Sequence, residues 1–196
     1  TLQVEDNKKS DWYTVFVFDL DTDDSVNDIE LNTLVVNAST TMVAYDTLVD
    51  DAELVIDGVT IDNVSVANGT SLVIPAVLTF DVDGDVVIDA GDRVEVELRL
   101  RFKSLAGANE GATVQGSIDG LDTTIVDAEG ADDLDNTQLS GAATGEAHTL
   151  RTMGIAVEST DTNATVTTGD GAKDDYATFE IEVEVTAFEQ DAYIST

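Results

Sequence analysis

The sequence predicts an all-β protein, built as an antiparallel and jelly-roll-like β-sandwich, and three observations support this. Apolar and polar residues alternate with a period of two along most of the chain, as in strands that bury one face. Turn signals separate these runs at intervals of about 8–12 residues, the spacing expected of sandwiches and barrels. No linker or internal repeat interrupts the chain, so we expect a single domain over residues 1–196. Only residues 128–141 leave room for one short helical segment.

The N-terminal half contains three strand signals and one hairpin signal. The run WYTVFVF, Trp12 to Phe18, is apolar on both faces and predicts a central or doubly covered strand. The run IELNTLVVNAS continues the β pattern after an Asp-rich gap. Asp57-Gly58 lies between two alternating runs, which predicts a type I′ hairpin. Pro75 interrupts a third strand-like run, so it is expected at an edge, bulge or break.

Two strictly alternating runs stand out in the second half. They are RVEVELRLRF, Arg93 to Phe102, and FEIEVEV, Phe179 to Val185. Each predicts a strand with one buried face and one wet face. The first carries arginines on its wet face and the second carries glutamates, so we expect the two strands to be neighbours with cross-strand Arg–Glu pairs. A second Asp-Gly pair, Asp119-Gly120, predicts another hairpin.

The charge balance excludes several classes of function. The chain has 41 acidic and 8 basic residues, for a net charge of −33. Nucleic acids and anionic membrane surfaces both require basic surfaces, so neither is an expected partner. Such an acidic chain repels itself unless salt or bound cations relieve the repulsion. The composition therefore indicates either a high-salt habitat or divalent cations as part of the structure.

Two acidic runs have the ligand spacing of calcium-binding loops. The run DVDGDVVIDAGD places carboxylates at loop positions 1, 3, 5, 9 and 12, which are Asp81, Asp83, Asp85, Asp89 and Asp92. The run DLDTDDSVNDIE offers Asp19, Asp21, Asp23, Asn27 and Glu30 at the same positions, with the backbone of Ser25 at position 7. Val86 and Asp24 stand where an EF-hand has glycine, and strands flank the first run. Calcium is therefore the expected cofactor, and solvated acidic turns are the alternative reading.

Little in the sequence points to catalysis. His148 is the only histidine, no cysteine is present, and no Gly-x-Ser-x-Gly nucleophile motif occurs. We therefore expect a protein that is not an enzyme. Four Asn-x-Ser/Thr sequons, at Asn37, Asn63, Asn68 and Asn163, are candidate glycosylation sites. The chain starts at Thr1 without Met, as expected of an exported mature product or of a recombinant fragment.

The whole-chain pattern resembles the secreted β-sandwich filament subunits of the TasA/camelysin and archaeal bundling-pilus kind. The resemblance rests on the start TLQVEDNKKSDWYTVFVFDL, an all-β body with acidic loops and no cysteine, and the closing strand YATFEIEVEVTAF. It implies an extracellular, cell-surface filament made of copies of this chain. It also implies donor-strand complementation, in which an N-terminal segment fills the sheet of the next subunit. Residues 1–9 would supply that donor here, with Leu2 and Val4 as its alternating side chains.

The function expected from the sequence is therefore a calcium-stabilised structural subunit of an extracellular filament or pilus. The alternative is a monomeric cell-surface adhesin or carbohydrate-binding β-sandwich module. These two readings differ in whether the purified chain assembles with copies of itself.

Overall fold

The computed structural model describes residues 1–105, 107–169, 171 and 176–188. The chain divides into two compact units, Thr1–Arg151 and Thr152–Thr196, named here the sandwich unit and the hairpin unit. The sandwich unit contains β1 (Leu2–Gln3), β2 (Trp12–Asp21), β3 (Ile29–Thr40), helix α1 (Tyr45–Leu48), β4 (Val49–Ile56), β5 (Val59–Ile61), β6 (Val64–Ala67), β7 (Ala76–Ile88), β8 (Arg93–Phe102), β9 (Thr113–Ile118), β10 (Val126–Glu129), β11 (Ala143–Thr144) and β12 (His148–Arg151). The hairpin unit contains β13 (Gly154–Thr167) and β14 (Tyr176–Phe188).

The sandwich unit consists of two sheets, which confirms the predicted all-β sandwich. The larger sheet has the order β1-β12-β9-β3-β7-β6, with β10 also paired to β3 and β11 also paired to β9. The smaller sheet has the order β2-β8-β4-β5. All pairs are antiparallel except β1 with β12, which is parallel.

The alternation predicted for Arg93–Phe102 forms the centre of the core. Its apolar positions Val96, Leu98, Leu100 and Phe102 are fully buried. Leu34, Leu78 and Phe80 of the larger sheet are equally buried in the same cluster. Because β8 lies between β2 and β4, a strand covers each of its edges, and its apolar side chains are removed from water on both sides.

The turn predictions have different outcomes. Asp57 and Gly58 both have positive φ, at 47° and 81°, as a type I′ turn requires, and they join β4 to β5 in the predicted hairpin. Pro75 immediately precedes β7, which agrees with the expected break. The hairpin predicted at Asp119-Gly120 is wrong, because β9 and β10 pair with different parts of β3 and not with each other. Asp122 redirects the chain there by accepting hydrogen bonds from the backbone N–H and the hydroxyl of Thr124.

The prediction that Trp12–Phe18 forms a central strand is also wrong, since β2 is the edge strand of the smaller sheet. A β-bulge explains the misleading pattern. Thr14 pairs with Arg99 and Phe16 pairs with Leu98, so Val15 is an extra residue in the strand. Val15 and Phe16 are consequently both buried, which makes an edge strand read as apolar on both faces.

Residues 128–141 do not form the expected helical segment. The end of β10 and a series of turns occupy this region. The carboxylate of Asp135 accepts hydrogen bonds from the backbone N–H and the hydroxyl of Thr137, and such side-chain bonds compete with helix formation. The described residues of the sandwich unit instead have a short α-helix, α1, before β4 and a 3-10 turn at Gly107–Asn109.

The hairpin unit is a long two-stranded antiparallel sheet of β13 and β14. The sequence predicts a single domain over residues 1–196, and the chain divides into two compact units after Arg151. The partner of β14 is β13, whereas β8 pairs with β2 and β4, so the two alternating runs are not neighbours. The apolar residues predicted to be buried in β14 are exposed.

Candidate functional site

The two predicted calcium loops lie side by side at one end of the sandwich unit. The run Asp19–Glu30 begins in β2 and reaches β3, and the run Asp81–Asp92 begins in β7 and ends just before β8. Thr22 connects them: its backbone N–H donates to the carbonyl of Asp92 at 2.9 Å, and its hydroxyl lies 2.8 Å from the carbonyl of Asp89. Asp28 accepts a further hydrogen bond from the backbone of Ala90 at 3.0 Å. Protein hydrogen bonds therefore join the two acidic runs directly.

Several of the candidate carboxylates have protein partners. Arg93 forms an ion pair with Asp21 and lies 3.9 Å from Asp19. The backbone N–H of Asp23, followed by the guanidinium of Arg93, holds the pKa of Asp21 below its usual value. Asp81 accepts a hydrogen bond from the side-chain amide of Asn63 at 2.9 Å. The contacts of Asp21 stabilise its ionised form without a metal.

Most of the run Asp81–Asp92 lies in β7, and the path of this strand separates its acids. Asp81, Asp83 and Asp85 are exposed residues of β7. Asp83 and Gly84 both have positive φ, at 49° and 76°, and form an outward bulge opposite β3. A Cβ atom at Gly84 would lie 2.4 Å from a carboxylate oxygen of Glu30, so the glycine makes room for that side chain.

No three His, Cys, Asp or Glu side chains within the described ranges are grouped as a metal site requires. The oxygens of one calcium site must all lie within 2.3–2.6 Å of the ion, or roughly 5 Å of one another. Asp81, Asp83, Asp85, Asp89, Asp92, Asp19, Asp21, Asp23, Asn27 and Glu30 share one end of the fold, but the EF-type spacing does not produce a ligand cage.

His148 has a structural role. Its Nε2 donates to the carbonyl of Val15 at 3.0 Å, at the bulge of β2. This bond occupies a carbonyl that the bulge removes from the β2–β8 ladder. The geometry gives His148 a fixed partner in the framework.

The proposed donor residues Leu2 and Val4 lie within the sandwich unit of their own chain. Leu2 pairs with Leu150 in the parallel β1–β12 ladder. Val4 is completely buried, and its backbone N–H donates to the carbonyl of Arg151 at 2.9 Å. The N-terminal segment is therefore one edge of the larger sheet in this structure.

The sequons differ in accessibility. Asn37 lies within β3, between β7 and β9, and its amide donates to Asp119 at 3.2 Å. Asn63 is exposed but donates to Asp81. Asn68 is exposed at a turn with φ of 60°. Asn163 is exposed within β13. Of the four, Asn68 has the geometry of an open surface site.

The hairpin unit carries a group of exposed apolar residues, and its Cα register divides its residues between two faces. One face holds a row of alternating residues, named here the apolar row: Phe179, Ile181, Val183 and Val185, which are 75%, 67%, 49% and 39% exposed. Val157 pairs with Val185 on this face and is 60% exposed. On the other face, Asp161 lies opposite Glu182 and Asn163 lies opposite Glu180.

Such a hairpin is incomplete as an isolated element. Two-stranded sheets are marginal in water, and like charges opposite each other weaken a ladder further. Contiguous exposed apolar surface of this kind marks an interaction site. The sequence signal for this apolar surface is the run FEIEVEV. Its alternation predicts a strand with an apolar face, but it does not show whether another part of the same chain covers that face.

Comparisons with protein-family models, curated proteins and solved structures gave no significant match to this chain. No helix within the described residues is long and apolar enough to cross a membrane.

Proposed function

We propose that this chain is a structural, non-enzymatic subunit of an extracellular filament or surface assembly made of copies of itself. The observation that carries the proposal is the apolar row on the hairpin unit. Complete burial of such side chains is worth about 1.5–3 kcal/mol each. Scaled by the exposed fractions of the four residues, docking of the row contributes on the order of 3–7 kcal/mol per contact.

Strand addition is the mode of assembly that suits this hairpin. A strand that joins another sheet gains main-chain hydrogen bonds, and its alternate side chains enter the partner's core. Both requirements fit β14, which has 13 residues and a period of two in its apolar positions. The resemblance to filament subunits placed the donor at residues 1–9, but the burial of Val4 in its own core favours the hairpin as the donor.

Light scattering and negative-stain microscopy of the full chain test this proposal. Because self-repulsion opposes assembly of so acidic a chain, both are done in high salt and with millimolar calcium. We expect filaments or ordered oligomers of the wild type. A protein that stays monomeric under all these conditions contradicts the proposal.

A pair of variants separates the hairpin from general surface effects. In the double variant Ile181→Ser/Val183→Ser, two residues of the apolar row become polar, and we expect assembly to be lost. The control Val87→Ser makes the same chemical change at a valine of β7 that is 54% exposed, compared with 49% for Val183. Assembly of the control should match the wild type.

Calcium enters this proposal as an auxiliary stabiliser. Its support is the spacing of the two acidic runs and their meeting at one end of the sandwich unit. The ion would reduce repulsion between these loops, at an affinity on the order of 10⁻⁴–10⁻³ M that is typical of extracellular modules. Assembly through the apolar row does not depend on it.

One observation favours the alternative, a monomeric adhesin or binding module. Leu72, Val73 and Ile74 form an apolar loop beside β6 and are 59%, 91% and 51% exposed. Exposed apolar loops of this kind bind partner surfaces. Loss of partner binding in Val73→Ser, with the wild type remaining monomeric, would favour this function over assembly.

A further inference from the structure

We propose that β14 of one copy adds to the open edge of β2 in the next copy, which extends the smaller sheet of the sandwich unit. This inference rests on the proposed function and identifies the acceptor surface. The lengths, burial and charges of β2 and β14 support this pairing.

β2 is the longest terminal strand of the two sheets of the sandwich unit. On one side β2 pairs with β8, and no described strand pairs with its other side. It has 10 residues, whereas the other terminal strands β1, β5 and β6 have 2, 3 and 4. Short edges resist strand addition, and long ones invite it. Length therefore favours β2 over the other edges as the acceptor.

The inward-facing residues of β2 are incompletely covered. Phe18 and Leu20 are only partly buried, although they pair with Val96 and Val94 of the same sheet. Val96 on β8 is completely buried, because strands lie on both sides of it. An added strand would cover Phe18 in the same way. The core at this edge thus lacks one neighbouring row of apolar side chains.

The strand β14 provides such a row. Its apolar row has the period-two spacing of an inward-facing strand, and its 13 residues can span the 10 of β2. The smaller sheet has four strands, against six across the larger sheet. Addition of β14 with its partner β13 brings the smaller sheet to six strands. The donor and the acceptor therefore complement each other in length, periodicity and strand number.

Charge selects the part of β2 on which the donor lies. When the apolar row faces inward, Glu180, Glu182 and Glu184 lie on the outer face, where β2 carries Asp19 and Asp21 at its C-terminal end. Like charges on adjacent strands are unfavourable. At the N-terminal half of β2, Trp12 pairs with Arg101 and Thr14 pairs with Arg99 of β8, which carry the opposite charge. We therefore place the glutamates beside Trp12, Thr14 and Val17, away from Asp19 and Asp21.

Disulfide trapping tests this pairing, because the chain has no cysteine of its own. Val17→Cys marks the outer face of β2 and Glu182→Cys marks the outer face of β14. The two single-cysteine proteins are mixed under assembly conditions and oxidised, and the products are analysed by non-reducing gel and mass spectrometry. A disulfide between two different single-cysteine proteins is necessarily intermolecular. Ser65→Cys, an exposed site on the short edge strand β6, serves as the matched acceptor control.

We expect at least about tenfold more mixed dimer from Val17→Cys with Glu182→Cys than from Ser65→Cys with Glu182→Cys, because assembly raises the local concentration of the correct pair. Filaments in the same sample without this enrichment, or enrichment at Ser65, would overturn the choice of β2 while leaving the proposed function intact. A double variant Val17→Cys/Glu182→Cys that closes only within one chain would also overturn it. Absence of any assembly contradicts the proposed function itself.

Discussion

Replacement of Gly116 by alanine should destabilise the sandwich unit, because the glycine of β9 lies directly against Phe16. A Cβ atom built at Gly116 lies 2.6 Å from the Cβ and 2.8 Å from the Cγ of Phe16. Carbon atoms in contact are about 3.5–4.0 Å apart, so the new methyl group overlaps Phe16 by about 1 Å. The ring is closed in from another side as well, since a Cβ at Gly145 would lie 2.8 Å from its Cδ2. β2 and β9 must therefore separate, at a cost of about 1–3 kcal/mol.

Equilibrium urea unfolding measures this cost directly. Trp12 is the single tryptophan and lies on β2, with Arg101 over its ring at 5.1 Å, so its fluorescence reports the strand that must move. For a chain of this size the expected loss corresponds to a fall in Tm of about 2–12 °C. The control Gly120→Ala meets no atom within 4 Å and should change stability by less than about 0.5 kcal/mol. Equal effects of the two variants would refute the packing of Phe16 against β9.

Three further predictions concern charge, cations and modification. A hydrogen bond from Lys9 and the charge of Arg101 hold the pKa of Asp50 below its usual value of 3.8. The contribution of Asp50 to stability is therefore complete above that pH, and it is lost as the pH falls through the lowered pKa. The Tm difference between wild type and Asp50→Asn should therefore shrink below pH 3.8, and a difference that stays constant to pH 2 contradicts the pairing. For an affinity of about 10⁻³–10⁻⁴ M, 10 mM calcium should raise the free energy of unfolding by about 1.4–2.7 kcal/mol relative to chelator at constant high salt. The double variant Asp81→Asn/Asp83→Asn should remove this increase. Equal melting temperatures of the wild type with calcium and with chelator would exclude the calcium site. In a host that glycosylates sequons, peptide mass spectrometry should find glycan at Asn68 and none at Asn37, which is held within β3; modification of Asn37 would contradict that placement.

The fold could be predicted where one local rule decides the structure. The alternation of Arg93–Phe102 depends only on the two faces of a strand, and Asp57-Gly58 needs only two residues with positive φ. Trp12–Phe18 was misread because the bulge at Val15 shifts the phase of alternation, and bulges leave no clear signal in a single sequence. Asp119-Gly120 failed because long-range pairing to β3 determined the path of the chain after β9.

The candidate site was harder to predict for the same physical reason. The spacing of an EF-type loop brings ligands together only when the chain coils around an ion. Asp81, Asp83 and Asp85 lie in β7 instead, where the positive φ of Asp83 and Gly84 turns the chain outward in a bulge. In FEIEVEV the sequence predicted a strand with an apolar face, but the surface that covers the face is a property of the assembly. Alternation shows that an apolar row must be buried, and it does not show against what.

Hydrogen exchange of the full chain, compared between its monomeric and assembled states, tests whether β14 of one copy pairs with β2 of the next. Added main-chain hydrogen bonds slow amide exchange where a new strand pairs. We expect amide exchange to slow on assembly in β2 (Trp12–Asp21) and in β14 (Tyr176–Phe188), and to change little in β6 (Val64–Ala67). Unchanged exchange in β14 upon assembly, or protection of β6 in place of β2, would contradict it.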